Sequence, residues 1–399
     1  MNIRTLALCV TIGNGWLLTA QVAAERAAVD AAWKLIAGGQ RPQAMVLLRD
    51  LVKKDPRNVD ARLLLGSLLM EDGDRPDSIA QLSEAVRLRP QSADAQNALG
   101  EAYAAFGDPK AAQPCFERAV AINPAFAQAR INLGSALLQA GAAQRAEPHL
   151  TRAISLLGNK PDAAYPLYLR AKIYSEKGDA AKAASDLERA VAIRADFAEA
   201  WSDLGEAKRK LLDDDGALQA FRRSVELNAN DAVAQTRLGS SLLNRGEAHQ
   251  AIGPLQHAAG LDPNNQTTLN ALQMALRRDG QREEADAVKR RLAELLRDKD
   301  HADQTLVSAL ELNNRGSVQE KSGDTRGALE LYRSALALLP DHVGIRINVA
   351  VALLKLGHWK EGIAEMREAL RRDPSNTDLQ KGLEDALAQA KAHGLSVGK

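Results

Sequence analysis

Three stretches decide the reading of this chain. VDARLLLGSLLMEDG (Val59 to Gly73), ADAQNALGEAYAAFG (Ala93 to Gly107) and AQARINLGSALLQAG (Ala127 to Gly141) align without a gap, and their starts lie 34 residues apart. A fixed period of this length marks a stacked array of helical units. Extending the frame gives ten repeats, starting at Glu25, Val59, Ala93, Ala127, Ala164, Ala198, Ala232, Gln266, Ala309 and Val343.

Three positions of the frame carry most of the pattern. Position 8 is Ala32, Gly66, Gly100, Gly134, Ala171, Gly205, Gly239, Gln273, Gly316 and Ala350, small in all but one repeat. Position 20 is small throughout, from Ala44 and Ser78 to Ala328 and Gly362. Small residues there let two helices approach closely. Position 15 is Gly in nine repeats: Gly39, Gly73, Gly107, Gly141, Gly178, Gly246, Gly280, Gly323 and Gly357. A glycine at that point ends the first helix in the left-handed conformation. Asp74, Asp108, Asp179 and Asp324 follow it and are expected to cap the second helix. That helix then stops at Pro56, Pro90, Pro124, Pro263, Pro340 or Pro374.

Composition agrees. Of 399 residues 45% are hydrophobic but only 4% aromatic, and an apolar set carried by Ala and Leu favours helix over strand. Lys plus Arg is 52 and Asp plus Glu is 51, so no excess of basic charge speaks for nucleic acid as a partner. Two cysteines exclude a disulfide scaffold and a structural zinc site.

The motif resembles the tetratricopeptide repeat, and the resemblance spans Glu25 to about Asn376. It implies an all-α fold: a right-handed superhelical α-solenoid of about ten helix-turn-helix units, whose first helices line a concave groove, with a C-terminal capping helix. Within such an array each unit buries its apolar face only against its neighbours. The expected organisation is a leader over 1–24, repeats one to eight over 25–300, repeats nine and ten over 301–376, and a capping helix and tail over 377–399.

The frame departs in several places. Gly158-Asn159-Lys160-Pro161 lengthens the loop between repeats four and five. The ninth repeat begins 43 residues after the eighth, so Arg297 to Asp303 is expected as a hinge; the alternative is one long helix that packs continuously. In the sixth repeat Leu212-Asp213-Asp214-Asp215-Gly216 replaces the turn glycine. A calcium loop needs more alternating oxygen ligands and a distal Glu, so a solvated charged turn is expected. Pro114 and Pro148 fall inside second helices, and Leu379, Leu383 and Leu387 form the stripe of the capping helix.

At the amino end Arg4 precedes an apolar stretch from Leu6 to Leu18, and Val22-Ala23-Ala24 offers the small residues a signal peptidase reads. Cleavage after Ala24 would leave a mature exported, periplasmic chain with Cys115 as its sole thiol and no membrane span. An uncleaved helix capping the next segment, in a cytoplasmic protein, is the alternative.

No catalytic, cofactor or metal motif emerges. The seven histidines form no ligand spacing, and the glycines recur as helix terminators rather than as a phosphate loop. The expectation is a non-enzymatic scaffold without cofactor, binding protein or peptide partners in its groove; the oligomeric state is not fixed by the sequence. The family resemblance assigns positions 2, 5, 6, 9, 12 and 13 to the groove. On this chain those positions include Asn97, Glu101, Asn132, Tyr168, Lys172, Arg237, Asn244, Asn314 and Asn348. Asn carries donor and acceptor together, which suits the main chain of an extended peptide. Leu63 and Leu64 suggest an apolar mouth near the amino end, or packing under the first repeat. No repeat has Lys at position 5 or Asn at position 9, which disfavours the clamp by which some family members hold chaperone tails. A cytoplasmic adaptor or regulatory subunit, and a substrate-recognition arm for an enzyme on another chain, are the competing readings.

Overall fold

The computed structural model describes residues 27–394. The leader expected over 1–24 lies outside the described residues. Among the described residues every regular element is helical and there is no strand. Contacts divide the chain into two compact units, one ending at Pro263 and the other beginning at Asn264.

The first unit holds seven helix pairs. They are α1 (27–37) with α2 (Arg41–Lys54), α3 (Val59–Glu71) with α4 (Arg75–Leu88), α5 (Ala93–Ala105) with α6 (Pro109–Ile122), and α7 (Ala127–Gln139) with α8 (Ala143–Leu157). Then follow α9 (Ala164–Glu176) with α10 (Ala180–Ile193), α11 (Ala198–Lys210) with α12 (Asp214–Leu227), and α13 (Ala232–Asn244) with α14 (Ala248–Leu261). Each second helix from α4 to α12 packs on the first helix of its own repeat and on that of the next, while first helices also meet directly, α3 with α5, α5 with α7, α7 with α9 and α11 with α13. This places the first helices on the shorter inner side of the stack. The lengthened loop before α9 folds as a single 3-10 turn, Pro161–Ala163.

The size code of the frame is visible in the packing. A Cβ built on Gly66, Gly134 or Gly100 would sit 2.6 Å from Leu82, Leu150 or Phe116. In each case the neighbour is position 24 of the same repeat, a fully buried or nearly buried side chain. All nine turn glycines have positive φ, from +71° at Gly141 to +92° at Gly323. The sixth repeat achieves the same turn without glycine: Leu212 takes φ +62°. Of its three aspartates, Asp213 caps α12 by accepting from the Gly216 amide at 2.9 Å, Asp215 pairs with Arg245, and Asp214 and Asp215 stand in the first turn of the helix. The caps expected at Asp74, Asp108, Asp179 and Asp324 form in the same way.

A further tie repeats through the array. The side chain at position 4 donates to the backbone carbonyl six residues earlier, in the linker from the preceding repeat. Arg62 reaches Pro56, Arg130 reaches Pro124, Trp201 reaches Ala195, Gln235 reaches Ala229 and Arg346 reaches Pro340, at 2.6–2.9 Å. These bonds satisfy carbonyls left over where each second helix ends.

The second unit comprises α15 (Gln266–Arg278), α16 (Arg282–Lys321), α17 (Thr325–Leu338), α18 (Val343–Lys355), α19 (Trp359–Arg372) and α20 (Thr377–Ala392). The segment Arg297–Asp303, expected as a hinge and as the boundary at 300/301, is helical throughout, and the two compact units part instead at Pro263. The cause is local. Arg297 occupies the frame position that holds Pro56, Pro90, Pro124, Pro263, Pro340 and Pro374 elsewhere. With no Pro in α16 and its only Gly at Gly316, neither of the two strongest helix breakers interrupts it at the junction. The second helix of the eighth repeat and the first helix of the ninth are thus one 40-residue helix. At the carboxyl end α20 buries Leu379, Ala386 and Ala390 against α19, with Leu383 and Leu387 partly buried, as the stripe predicted.

Candidate protein-binding face

The inner face is built from the exposed sides of the first helices. On α5, Asn97 and Glu101 are one turn apart and therefore share a face. Asn97 Nδ2 donates to Glu101 Oε1 at 3.0 Å. From α7, Asn132 Nδ2 donates to Asn97 Oδ1 at 2.9 Å and to Glu101 Oε1 at 2.8 Å, while Gln128 Nε2 donates to Asn132 Oδ1 at 3.0 Å. Asn97 is buried by this cluster.

The same geometry recurs. Position 6 of one repeat donates to position 5 of the repeat before it, 35 residues earlier. Asn348 Nδ2 donates to Asn313 Oδ1 at 2.8 Å. Arg237 Nη1 donates to Ser202 Oγ at 2.7 Å and to Asp203 Oδ1 at 3.1 Å. Lys355 forms a similar rung with Glu320 at 2.7 Å. Asn97, Glu101, Asn132, Arg237 and Asn348 are thus rungs between neighbouring first helices, with hydrogen-bonding groups taken up inside the protein. Lys172, Asn244 and Asn314 stand exposed.

Tyr168 does both. Its ring packs on Phe197 with centroids 4.8 Å apart, and Lys172 Nζ lies 5.7 Å from the ring centre. Its hydroxyl has no hydrogen-bond partner among the described residues and remains reachable by solvent. Burial, reinforced by the carboxylates of Asp203 and Glu199, pushes its pKa up to about 12. At neutral pH it is a fixed aromatic surface ending in a neutral donor.

A cleft of the inner face lies nearer the amino end. It has a volume of about 890 Å³ and runs along α1, α3 and α5. Its floor includes Val29, Trp33, Ile36, Leu63, Leu64 and Leu68, and Trp33 is 56% exposed. Its rim carries Asp30, Asp55, Asp60, Glu71 and Asp94 against Arg57 and Arg89. Arg89 pairs with Asp60 at 3.2 Å, and Arg41 from α2 pairs with Glu71. Most of the lining holds positions 2, 5, 6, 9, 12 or 13 of the frame. Leu63 and Leu64 both line this cleft, while Leu64, nearly buried, also packs under the first repeat with Ala32, Ala44 and Leu48, and Met70 lies near Leu82 and Leu99. Trp33, at position 9 of the first repeat, is the sign of this cleft in the sequence.

Two tetratricopeptide repeat family models match, one over residues 35–102 and 320–392, the other over 97–164 and 168–232, together more than half of the chain. The chain belongs to the tetratricopeptide repeat family. It is similar to the BBSome complex member bbs-4 of Caenorhabditis elegans, 28% identical over 24% of this chain and 20% of that protein. It also matches the heat-shock protein cognate co-chaperone sgt12 of Aspergillus fumigatus, 36% identical over 21% of this chain and 23% of the relative. A third match is the TPR repeat-containing thioredoxin TTL4 of Arabidopsis thaliana, 38% identical over 16% and 10%. The chain spans less than a quarter of the length of these curated relatives. Among solved structures, one from a study of Pseudomonas aeruginosa pilF covers 54% of this chain and 98% of its own, with 18% identity and a TM-score of 0.50. A MamA crystal structure covers 42% and 96%, with 27% identity and a TM-score of 0.37. The first of these two structures agrees with an α-solenoid fold. The repeats suggest a protein-interaction scaffold, and no catalytic family model is among the matches. No helix among the described residues is long and apolar enough to cross a membrane.

Proposed function

We propose that this tetratricopeptide repeat protein is a non-enzymatic scaffold that receives protein or peptide partners on its inner face, as part of an exported, periplasmic envelope assembly. The observation that carries the reading is the cleft of α1, α3 and α5: an apolar floor around a solvent-open Trp33, rimmed by five carboxylates and two arginines. An aromatic side chain held on a rigid helix gives contact area at little entropic cost. The excess of carboxylates selects segments carrying Lys or Arg beside apolar side chains. Tyr168, with Lys172 beside it, offers a second anchor farther along the same face.

The test begins with capture of partners by the tagged full chain from its native host. Affinity is then measured for Trp33→Ala and Tyr168→Ala, with helicity and melting checked. A loss of about tenfold or more at Trp33 supports the reading. Unchanged affinity in both variants refutes it and moves binding to the outer face. Terminal sequencing of the mature protein tests export: a chain beginning at Glu25 supports it, and a chain retaining residues 1–24 favours the cytoplasmic adaptor.

A further inference from the structure

Helix α16 carries a second apolar surface, which runs on toward its amino end from the inner-face stripe of the ninth repeat, where Leu310 holds position 2. Leu296, Leu306, Val307 and Leu310 are 38–55% exposed. Leu292 stands at frame position 27, where Ala85, Ala119, Ala153 and Ala190 are completely buried. In those repeats the first helix of the next repeat begins a few residues later and closes over the site. Here α16 runs straight on, and Leu292 stays half-covered.

The spacing of this surface names its occupant. Leu292, Leu296, Lys299, Asp303, Leu306 and Leu310 are separated by 4, 3, 4, 3 and 4 residues, the alternation of a coiled-coil seam. At 100° per residue they fall within an arc of about 80° on one side of the helix. The series also reads the same in both directions about His301. Leu292 mirrors Leu310, Leu296 mirrors Leu306, Leu295 mirrors Val307 and Ala293 mirrors Ala309. At the centre Lys299 mirrors Asp303, opposite in charge, and neither has a salt-bridge partner among the described residues.

We infer that α16 is a dimerisation helix, which pairs antiparallel with α16 of a second copy of this chain about a two-fold axis at His301. A two-fold interface requires that residue i meet residue j of the partner while j meets i, and a palindromic seam satisfies this at every layer. Leu296 then meets Leu306 of the second copy, Leu292 meets Leu310, and Lys299 meets Asp303, twice over by symmetry. In a parallel pair Lys299 would face Lys299 and Asp303 would face Asp303, so the central charges select the antiparallel orientation. A charged layer inside a seam fixes register at some cost in stability. His301 points away from the seam. The second copy also covers the Leu292 side chain that the missing repeat junction leaves open.

The test is the oligomeric state of the full chain by sedimentation equilibrium over a range of concentrations. The wild type is expected to be a reversible dimer. Lys299→Asp and Asp303→Lys each place like charges in both central layers, and each should weaken dimerisation by about tenfold or more. The double reversal Lys299→Asp with Asp303→Lys restores opposite charges only in an antiparallel pair and should recover the wild-type association. These variants alter solvated positions, so circular dichroism should show unchanged helicity. Leu306→Asp should give a monomer with the same fold. A wild type that remains monomeric at the highest concentration overturns the inference. So do single reversals that leave the dimer intact, or a double reversal no better than the singles.

Discussion

Gly205→Ala in α11 should destabilise the protein although alanine is the better helix former. The new Cβ would lie 2.5 Å from Cδ1 and Cε1 of Phe221, which is 1% exposed and rigid as a ring. Overpacking of this kind costs about 1–3 kcal/mol, and the higher helix propensity of Ala returns about 1 kcal/mol. The net loss is about 1 kcal/mol. Gly253 in α14 is the control: it is also inside a helix, but a Cβ there meets nothing within 4 Å. Gly253→Ala should therefore stabilise by up to about 1 kcal/mol. The other repeats supply a rescue. Gly100, Gly205 and Gly316 face the rings of Phe116, Phe221 and Tyr332, whereas the more pliable Leu stands beside Gly at Gly66, Gly134 and Gly239 but also in one cluster with Ala, as Leu48 with Ala32 and Leu187 with Ala171. Gly205→Ala with Phe221→Leu recreates the Ala171–Leu187 pair, and should be more stable than additivity predicts by about 1 kcal/mol. Urea unfolding followed by helicity gives the ranking. Hydrogen exchange along α11 and α12 localises it, since a repeat array need not unfold in one step. Equal shifts for Gly205→Ala and Gly253→Ala, or an additive double mutant, would refute the size code.

Leu212→Gly should stabilise the sixth repeat by about 1 kcal/mol, because Leu212 holds φ +62° while 87% exposed; urea midpoints measure it. Gly107→Val should cost more than about 1 kcal/mol, for the same reason in reverse at φ +76°; a neutral outcome would contradict the turn assignment. Asp186→Ala should be severe, about 3 kcal/mol or more, since Arg170 Nε and Nη2 grip the buried carboxylate at 2.7 and 2.8 Å and would be left unpaired. Adding Arg170→Leu, the residue type at this frame position in Leu133 and Leu204, should recover much of the loss. Stability should also fall between about pH 10 and 12. The Tyr168 and Tyr332 hydroxyls are held up to about 12 in the fold, so the unfolded chain loses those protons first and gains from rising pH. Tyr168→Phe should flatten that part of the pH–stability curve.

The repeat frame was legible because its key positions answer to backbone geometry. A left-handed turn at Gly107, or a helix approach at Gly134 onto Leu150, admits few residue types, and so each leaves a period in the sequence. Leu212 shows the limit: a turn enforced by the array can be occupied by a residue that would not announce it. The long helix was less legible. Its cause is the lack of a stop, with Arg297 where proline usually stands, and an absent signal is harder to read than a present one. The groove was legible in place, but the pairing of its polar residues with one another was not. Asn97, Asn132 and Arg237 do line the first helices, yet their hydrogen bonds depend on residues 35 positions away in the neighbouring repeat. A single helix pattern cannot show that pairing, although a search for polar residues at positions 5 and 6 of consecutive repeats could have found it.

The rungs constrain where a partner can be recognised. A donor that already serves Glu101, as Asn132 does, can turn to a ligand only by giving up a bond inside the groove, and the exchange yields little net free energy. Such rungs instead hold neighbouring first helices at a set distance and keep the inner face in register. Recognition then falls to the groups that the rungs leave uncommitted. Trp33 presents apolar area in a cleft with no rung across it, and Tyr168 presents an unpartnered hydroxyl from a ring already fixed by Phe197. Both gain contacts on binding without breaking any. If that division of labour holds, Asn132→Ala should lower stability and leave partner affinity nearly unchanged, whereas Trp33→Ala should leave stability unchanged and lower affinity. Melting and titration of the two variants side by side measure both effects, and a reversed pattern would mean that the polar rungs themselves read the partner.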